Sequence, residues 1–250
     1  MHALKDLYGL VGYPLGHSFS KSYFTHKFLG EGINAGYENF ELDDIALIRQ
    51  VIEHNDNLRG FNVTIPYKEQ ILPYLDSLDE VAAEIGAVNV VRIENGGKLR
   101  GFNTDVYGFT ESLRPMLAHY NHKKALVFGT GGASKAVLAG LKELGIEATV
   151  VSRKQIANGL TYSDLTPAII GEHTVIVNTT PLGMYPYVDA APIMSYSALT
   201  SNHVCFDLVY NPTQTKFMNQ CAEMGAMTSN GLKMLHLQAE QAWRIWQNAK

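Results

Sequence analysis

The stretch Lys124-Ala-Leu-Val-Phe128-Gly129-Thr-Gly-Gly-Ala-Ser134 decides the fold of the second half of this 250-residue chain. Its first five residues are mostly apolar and predict a buried strand, and the glycines after them predict a tight turn. Helical periodicity follows as far as Leu144, and Gly145 stands where helices commonly end. This order predicts an anion-binding turn, because a helix amino terminus offers unpaired backbone amides.

The glycines of this turn match a dinucleotide-binding turn. Gly129 permits the tight turn and Gly131 permits close approach of a pyrophosphate, whereas Ser134 occupies the position where a third glycine is usual. A small side chain there still permits close packing of the helix on the strand. The glycines alone would also suit an ordinary turn, but the flanking strand and helix supply the context that the motif requires.

The end of the next predicted strand, Ala148 to Ser152, indicates which dinucleotide binds. NAD sites usually have Asp or Glu about 20 residues after the turn, where it binds the ribose 2′-hydroxyl. Here the strand ends in Ser152-Arg153-Lys154, without a carboxylate. Because Arg binds phosphate through two hydrogen bonds, the sequence predicts NADP as the cofactor. The alternative is that both cations belong to a solvated turn.

Strand-like and helix-like segments alternate along the whole chain, which predicts an α/β fold with two domains. We expect a substrate-binding domain of residues 1–105 with 230–250, and a Rossmann-type parallel-sheet NADP domain of residues 106–229, with a cleft between them. The predicted strands are 8–12, 37–42, 59–65, 148–152, 174–177 and 204–209, with a hairpin of 87–93 and 98–102. The predicted helices are 20–29, a helix capped by Asp43, one from Asp105 disturbed by Pro115, and 232–247.

Composition excludes several classes of protein. Hydrophobic residues make up 46% and charged residues 18% of the chain, which fits a soluble globular enzyme rather than a disordered chain. The net charge is −4 without a basic block, so we expect no nucleic-acid partner. Neither a signal peptide nor an apolar membrane span is found, and the two cysteines favour a cytoplasmic protein. We expect no metal, and a monomer or a homodimer.

Polar residues in three segments before residue 106 suit a small polyhydroxylated substrate. The segments are Gly16-His-Ser-Phe-Ser20, Asn62-Val-Thr-Ile-Pro-Tyr-Lys68, and Gly86-Ala-Val-Asn89 with Gly101-Phe-Asn-Thr-Asp105. Reduction of a ketone leaves an alkoxide that needs a proton, and a Lys beside an Asp supplies it. Lys68 and Asp105 are the best candidates. The alternatives are an exposed lysine, helix caps at Asp105, Ser18 and Ser20, and turn chemistry in the third segment.

These segments together resemble the signature of the shikimate dehydrogenase family, in its order and at about its spacing. The resemblance begins with Gly12-Tyr-Pro-Leu-Gly-His-Ser-Phe-Ser20 and continues through 62–68, 86–89 and 103–105. Asn178-Thr-Thr-Pro-Leu-Gly183, Asp207 to Tyr210 and Gly231-Leu-Lys-Met-Leu235 extend it, so that it covers residues 8 to 246. It implies NADP-dependent, reversible reduction of 3-dehydroshikimate to shikimate, in chorismate and aromatic amino acid biosynthesis.

The resemblance also implies residue roles. Ser18 and Ser20 would bind the substrate carboxylate, and Lys68 and Asp105 would form the catalytic pair, with the lysine as proton donor. Further substrate contacts are implied for Thr64, Asn89, Tyr210 and Gln238. Cofactor contacts are implied for Gly129, Thr130, Gly131, Gly132, Ala133, Ser152, Arg153, Lys154, Leu208, Gly231 and Glu80.

The chain departs from the family pattern at two places. Lys21 replaces a usual Pro, with Phe24-Thr25 where His-Asn is usual, and Ser152-Arg153-Lys154 replaces a common Asn-Arg-Thr. The first change adds a cation near the expected carboxylate pocket, unless the Lys21 side chain points to solvent. The alternatives are a quinate/shikimate dehydrogenase using NAD, a dehydrogenase of similar architecture acting on a folate, and a non-catalytic sensor of NADP or shikimate.

Overall fold

The structure is a computed structural model that describes residues 5–16 and 19–248. Its contacts divide the chain into two compact units. The first unit extends to Thr104 and resumes at Ala239, and the second runs from Asp105 to Gln238.

The first unit is built on a six-stranded mixed sheet. In chain order its strands are β1 (Asp6–Gly12), β2 (Ala35–Glu41), β3 (Leu58–Val63), β4 (Ser77–Leu78), β5 (Val90–Ile93) and β6 (Leu99–Phe102). Across the sheet the order is β2-β1-β3-β5-β6-β4. Strands β2, β1 and β3 are parallel, whereas β5 is antiparallel to both β3 and β6. The predicted hairpin is confirmed, and Gly96 and Gly97 have φ values of 82° and 77°, which favour glycine.

Both faces of this sheet are covered. Its helices are α1 (Phe19–Gly30), α2 (Ile48–Glu53) and α3 (Glu80–Ile85). Phe61 and Ile48 belong to one apolar cluster, and Phe24, Tyr8 and Trp246 belong to another. Burial of aromatic and branched side chains on both faces supplies most of the free energy that holds the sheet in place.

The second unit is a doubly wound parallel sheet. Its strands are β7 (Lys124–Phe128), β8 (Glu147–Ser152), β9 (Leu160–Thr161), β10 (Val175–Asn178), β11 (Val204–Asp207) and β12 (Met227–Ser229). Its helices are α4 (Asp105–Leu113), α5 (Gly132–Glu143), α6 (Pro167–Glu172), α7 (Lys216–Glu223) and α8 (Leu232–Gln247). The strand order β12-β11-β10-β7-β8-β9 reverses direction between β7 and β10, so the Rossmann-type prediction is confirmed. Ligands bind at such a reversal, outside the carboxyl ends of the strands.

The last helix has the bounds that its periodicity predicts, but the two units share it. Its first half belongs to the second unit, where Met234 packs near Phe109. From Ala239 onward it belongs to the first unit, where the Trp246 indole donates a 3.0 Å hydrogen bond to the Val91 carbonyl. The contacts thus divide α8 between the two units at Gln238 and Ala239.

Two local predictions differ from the structure, and several short elements were not predicted. Asp44, rather than Asp43, caps the second helical segment, because its carboxylate accepts a 2.8 Å hydrogen bond from the Ala46 amide. Strand β3 ends at Val63 because the chain turns at Thr64, whose carbonyl accepts the Tyr67 amide. Short elements such as α3, α6 and α7 were not predicted, since six to eight residues carry little periodicity.

In the described part of the chain, no helix is both long enough and apolar enough to cross a membrane. Likewise, residues 5–16 and 19–248 contain no group of three or more His, Cys, Asp or Glu side chains suited to a metal ion.

Candidate functional site

The turn between β7 and α5 has the geometry of a phosphate-binding turn. Gly129 has a φ of 110°, and a Cβ there would lie 2.6 Å from the Thr179 Oγ1 atom, so only glycine fits. Gly131 is the cap residue of α5, and no atom lies within 4 Å of the Cβ position that it lacks. Open space therefore faces the amino end of α5, where backbone amides and the helix dipole favour an anion.

Ser134, at the position of the usual third glycine, is bonded back to the turn itself. Its side chain is buried, and its hydroxyl donates a 2.6 Å hydrogen bond to the Gly131 carbonyl. The Ser134 amide donates to the same carbonyl over 3.0 Å. The serine thus closes the turn with a bond that a glycine cannot make.

A cavity of about 790 Å³ opens at the reversal point of the second sheet. Its walls come from the turn after β7, the end of β8 and the loop after β10. Its lining residues are Gly129, Thr130, Gly131, Val151, Ser152, Arg153, Lys154, Ile156, Tyr162, Thr179, Thr180, Pro181 and Leu182. The described lining contains two cations and no carboxylate, so the cavity suits a ligand with several negative charges.

The two cations lie where the sequence places them. Arg153 and Lys154 are exposed at the end of β8, and the Lys154 amide donates a 3.3 Å hydrogen bond to the Ser152 hydroxyl. Burial raises the pKa of Tyr162, while the positive charge of Arg153 acts to lower it. Arg153 therefore lies near Tyr162, and both residues line the cavity.

Asn178 and Asp207 begin two of the segments that resemble the family pattern, but the sequence assigned no role to the polar cluster that they form behind this cavity. Asn178 and Asp207 are aligned on β10 and β11, and both are fully buried. Asp207 accepts hydrogen bonds from Asn178 Nδ2 (2.9 Å), the Val209 amide (3.0 Å) and Thr215 Oγ1 (2.6 Å). Burial raises the pKa of Asp207 to about 6, although these hydrogen bonds act to lower it. In the sequence, the signal for this cluster was that two apolar strands each end in a polar residue, Asn178 and Asp207.

Leu208 and Gly231, both predicted near the cofactor, lie together. A Cβ on Gly231 would lie 2.8 Å from the Leu208 carbonyl carbon, so glycine is required for this close approach. The Gly231 amide donates a 3.2 Å hydrogen bond to the Val209 carbonyl. Tyr210 follows in the same loop and is 39% exposed, which leaves its ring accessible to a ligand.

In the first unit, Asn89 is held by its neighbours. It is 3% exposed, and its Oδ1 atom accepts a 2.8 Å hydrogen bond from the Thr104 amide, while its Nδ2 atom donates to Thr104 Oγ1 over 3.0 Å. Asn62 donates to the Asn89 carbonyl over 3.3 Å. Tyr37 donates to Asn62 Oδ1 over 2.7 Å and is also hydrogen-bonded to Ser20. Ser20 and Asn89 are thus joined through Tyr37 and Asn62, neither of which the sequence assigned an individual role.

Thr64 and Lys68 follow β3 at the same sheet edge. The Thr64 amide donates to the Val11 carbonyl over 2.9 Å, and the Val88 amide donates to the Lys68 carbonyl over 2.8 Å. Because β5 is antiparallel to β3, Asn89 before β5 lies at the edge where β3 ends. The structure therefore brings Thr64, Lys68 and Asn89 to one edge of the sheet.

The other predicted residues are placed as follows. Asp105 is the buried first residue of α4, and Gln238 is buried on α8 beside Gly108 of α4. Both belong to the second unit, whereas Lys68 belongs to the first, so the Lys68–Asp105 pair stays a prediction. The same holds for Glu80, the exposed first residue of α3.

Two predictions concern the beginning of α1. Ser18 lies outside the described residues. Lys21, the departure from the family pattern, forms a 2.6 Å ion pair with Glu38, and both side chains are about half exposed, at 45% and 57%. The cation that replaces the usual proline is thus neutralised by a neighbour on β2.

Comparison with known proteins identifies relatives of the whole chain. The model of the shikimate dehydrogenase substrate binding domain matches residues 10–91. A shikimate dehydrogenase (NADP(+)) of Halothermothrix orenii is 38% identical over 265 residues, which cover 97% of this chain and 91% of that protein.

Solved structures of similar proteins share the fold of this chain over nearly its whole length. Shikimate dehydrogenase from Thermus thermophilus, in complex with NADP(H) and shikimate, is 31% identical with a TM-score of 0.85, covering 97% of this chain and 94% of that one. Quinate dehydrogenase from Corynebacterium glutamicum, in complex with NAD, is 26% identical with a TM-score of 0.88, covering 98% and 94%. Given the 38% identity across nearly its full length, this chain belongs to the shikimate dehydrogenase family.

Proposed function

We propose that this chain catalyses the NADP-dependent, reversible reduction of 3-dehydroshikimate to shikimate. The observation that carries the proposal is the cavity at the reversal point of the second sheet, which has an open helix amino end on one side and Arg153 and Lys154 on the other. It fits a dinucleotide with an additional phosphate. Membership of a family whose relatives include NADP(+)-dependent shikimate dehydrogenases supports the substrate.

The residues present fit NADP, which supplies the hydride when it is bound. The amides of residues 129 to 133 would hold the pyrophosphate, and Ser152, Arg153 and Lys154 would hold the adenosine phosphate. Leu208 and Gly231 would flank the nicotinamide, and their close packing supports this role, because it places the two residues side by side. Glu80 would contact the cofactor from the first unit.

Acid–base chemistry is assigned to Lys68 and Asp105. Hydride addition to the carbonyl carbon leaves an alkoxide oxygen, and the Lys68 ammonium donates a proton to that oxygen, which completes the alcohol. In the reverse direction the neutral lysine accepts the proton. Asp105, on the first turn of α4, would orient the lysine and stabilise its charge.

Substrate recognition is assigned to both units. Ser18 and Ser20 would bind the carboxylate, and Thr64, Asn89 and Gln238 would bind hydroxyl groups, with Tyr210 close by. The fixed orientation of the Asn89 amide supports this role, since an amide held by Thr104 discriminates between hydroxyl positions.

The buried, free thiols of Cys205 and Cys221 support a reducing compartment, and we propose the cytoplasm. A monomer or a homodimer remains our proposal for the oligomeric state.

The second candidate is a quinate/shikimate dehydrogenase using NAD, favoured by the high structural similarity to a quinate dehydrogenase. Initial rates measured with shikimate or quinate, each with NADP or NAD, separate the candidates. Turnover largely confined to shikimate with NADP supports the proposal. Turnover with quinate and NAD supports the second candidate, and NADP binding without turnover of either substrate favours a sensor.

A further inference from the structure

The buried carboxylate of Asp207 connects three segments of the second unit, and one of them, the loop after β10, lines the cofactor cavity. It accepts hydrogen bonds from Asn178 at the end of β10, from the Val209 amide in the loop after β11, and from Thr215, the cap residue of α7. All three side chains, of Asn178, Asp207 and Thr215, are fully buried. One charged group thus holds together elements that are separate in sequence.

Asn178 transmits this constraint to the cavity wall. Its Oδ1 atom accepts the Thr180 amide over 3.0 Å and the Thr180 hydroxyl over 2.6 Å, and its Nδ2 atom also donates to the Leu182 carbonyl over 3.3 Å. Thr180 and Leu182 both line the cavity. Because the Thr180 amide is only a donor and an ionised Asp207 is only an acceptor, the orientation of the Asn178 amide is determined at both ends.

We infer that Asp207 is a positioning residue for the cofactor: in its ionised form it holds the loop 178–182 and the loop 208–215 in the arrangement that binds NADP. The inference rests on the proposed function for the identity of the cofactor. Asp207 acts through Asn178 and Val209, and does not itself touch the ligand cavity.

Protonation of Asp207 removes part of this arrangement. A proton on Oδ1 would face both Asn178 Nδ2 and the Val209 amide, which are donors. A proton on Oδ2 would displace the hydrogen that the Thr215 hydroxyl donates to this oxygen. The Thr215 hydroxyl is buried, and its oxygen already accepts a 3.2 Å hydrogen bond from the Met218 amide. Protonation of either oxygen therefore leaves a buried donor without an acceptor, which raises the free energy because no water can replace the lost partner.

The protonation occurs within reach of ordinary assays. Burial raises the pKa of Asp207 to about 6. Cys221 on α7 and Tyr196 in the turn 196–198 are titratable neighbours of Asp207. A hydrogen bond with Cys205, together with burial, raises the pKa of Cys221. Burial raises the pKa of Tyr196. Both neighbours are therefore neutral throughout the acid range, and Asp207 is the group of this cluster that changes charge there.

The test is the Kd of NADP, measured by isothermal titration calorimetry without substrate between pH 5 and pH 8, in the wild type and in Asp207→Asn. Asparagine has the shape of the protonated carboxyl at every pH. We expect the variant to bind NADP about fivefold to tenfold more weakly than the wild type at pH 8, the loss typical of one hydrogen bond. The two values should converge near pH 5.

The matched control is Glu172→Gln, which removes the same charge from the same unit. Glu172 forms a 3.0 Å ion pair with Lys124 on the surface, beyond the amino end of β10, and this pairing lowers the pKa of Glu172. The control should follow the wild-type curve. Ionisation of the NADP phosphate affects all three proteins equally, so it cancels in the ratio of variant to wild type.

A constant ratio for Asp207→Asn across the pH range would overturn the inference, because it would indicate a packing defect alone. An unchanged Kd at pH 8 would overturn it as well. If the wild type binds NADP with the expected pattern but does not reduce 3-dehydroshikimate, the proposed substrate is wrong and the inference stands. Failure of the wild type to bind NADP at any pH would end both.

Discussion

Tyr37 on β2 donates a 2.7 Å hydrogen bond to Asn62 Oδ1 on β3, and both side chains are buried in the first unit. Asn62 in turn donates to the Asn89 carbonyl, so the Tyr37 hydroxyl determines which way the Asn62 amide faces. Tyr37 is 3% exposed, and its removal would leave Asn62 Oδ1 without this donor in a buried environment.

Tyr37→Phe is therefore expected to lower the free energy of unfolding by about 1–3 kcal/mol, the cost of leaving a buried acceptor unpaired. Urea denaturation measures it. Tyr8→Phe is the control, because Tyr8 is equally buried but its hydroxyl interacts with Gln247, an exposed residue. An equal loss of unfolding free energy in the two variants would show that the Tyr37–Asn62 hydrogen bond does not stabilise the protein more than the Tyr8 hydroxyl does.

Two glycines of the cofactor turn should respond differently to the same substitution. Gly129→Ala should destabilise the protein by roughly 1–3 kcal/mol, because alanine is strained at a φ of 110° and its Cβ would lie 2.6 Å from Thr179 Oγ1. Gly131→Ala should leave stability nearly unchanged, since its φ is −78° and nothing lies within 4 Å. It should still weaken NADP binding, because the methyl group occupies the space for the pyrophosphate.

Thermal unfolding and NADP titration of both variants test this pair. Unchanged NADP affinity in Gly131→Ala would place the pyrophosphate elsewhere.

Arg153→Ala should weaken NADP binding by roughly 10-fold to 100-fold, the loss expected for a hydrogen-bonded charge pair, and should affect NAD little. The reason is that only NADP carries the additional phosphate. Titration of both dinucleotides measures the ratio, and Arg114→Ala, an exposed arginine in the same unit, is the control. An equal loss for NAD and NADP would contradict the phosphate role.

Lys68→Ala should lower kcat by roughly 10²-fold or more while NADP binding is retained, because the proton donor is lost and the cofactor cavity belongs to the other unit. Single-turnover rates and NADP titration on the same sample measure both. Lys98→Ala, an exposed lysine in the same unit, should behave as the wild type. Turnover close to normal in Lys68→Ala would remove this residue from the chemistry.

Acid should weaken the second unit through His122. Burial, and then the neighbouring His203, lower the pKa of His122 from 6.5, and its Nδ1 atom lies 2.8 Å from Thr174 Oγ1. A lowered folded-state pKa means that the unfolded chain binds the proton more tightly. Stability is therefore complete above pH 6.5 and decreases as the pH falls through and below that value.

The measured quantity is the free energy of unfolding from urea denaturation at pH 5 to 8, compared between the wild type and His122→Asn. Asp207 has a raised pKa, so its contribution to stability increases in acid and opposes that of His122. We expect the difference between variant and wild type to shrink as the pH falls. A difference that does not change with pH would exclude His122 as an acid-sensitive group.

Local sequence predicted most of the framework. The strand Lys124–Phe128, its glycine turn and helix α5 were recognisable because each signal lies within a few neighbouring residues. Helix α8 was predicted with its observed bounds because sixteen residues carry several turns of periodicity. Arg153 and Lys154 at the end of β8 were predicted from their position about 20 residues after the glycine turn.

Tertiary structure decided what lies beyond that range. The hydrogen bonds of Asp207 with Asn178 and of Tyr37 with Asn62 join residues 29 and 25 positions apart, and no local pattern specifies such partners. The division of α8 between two units also depends on what each half packs against. Sequence alone thus determined the strands, the long helices and the residue types of the site, since these follow from local propensity and spacing. Only packing decided which buried polar groups meet, because a buried donor or acceptor must find its partner wherever the fold brings one.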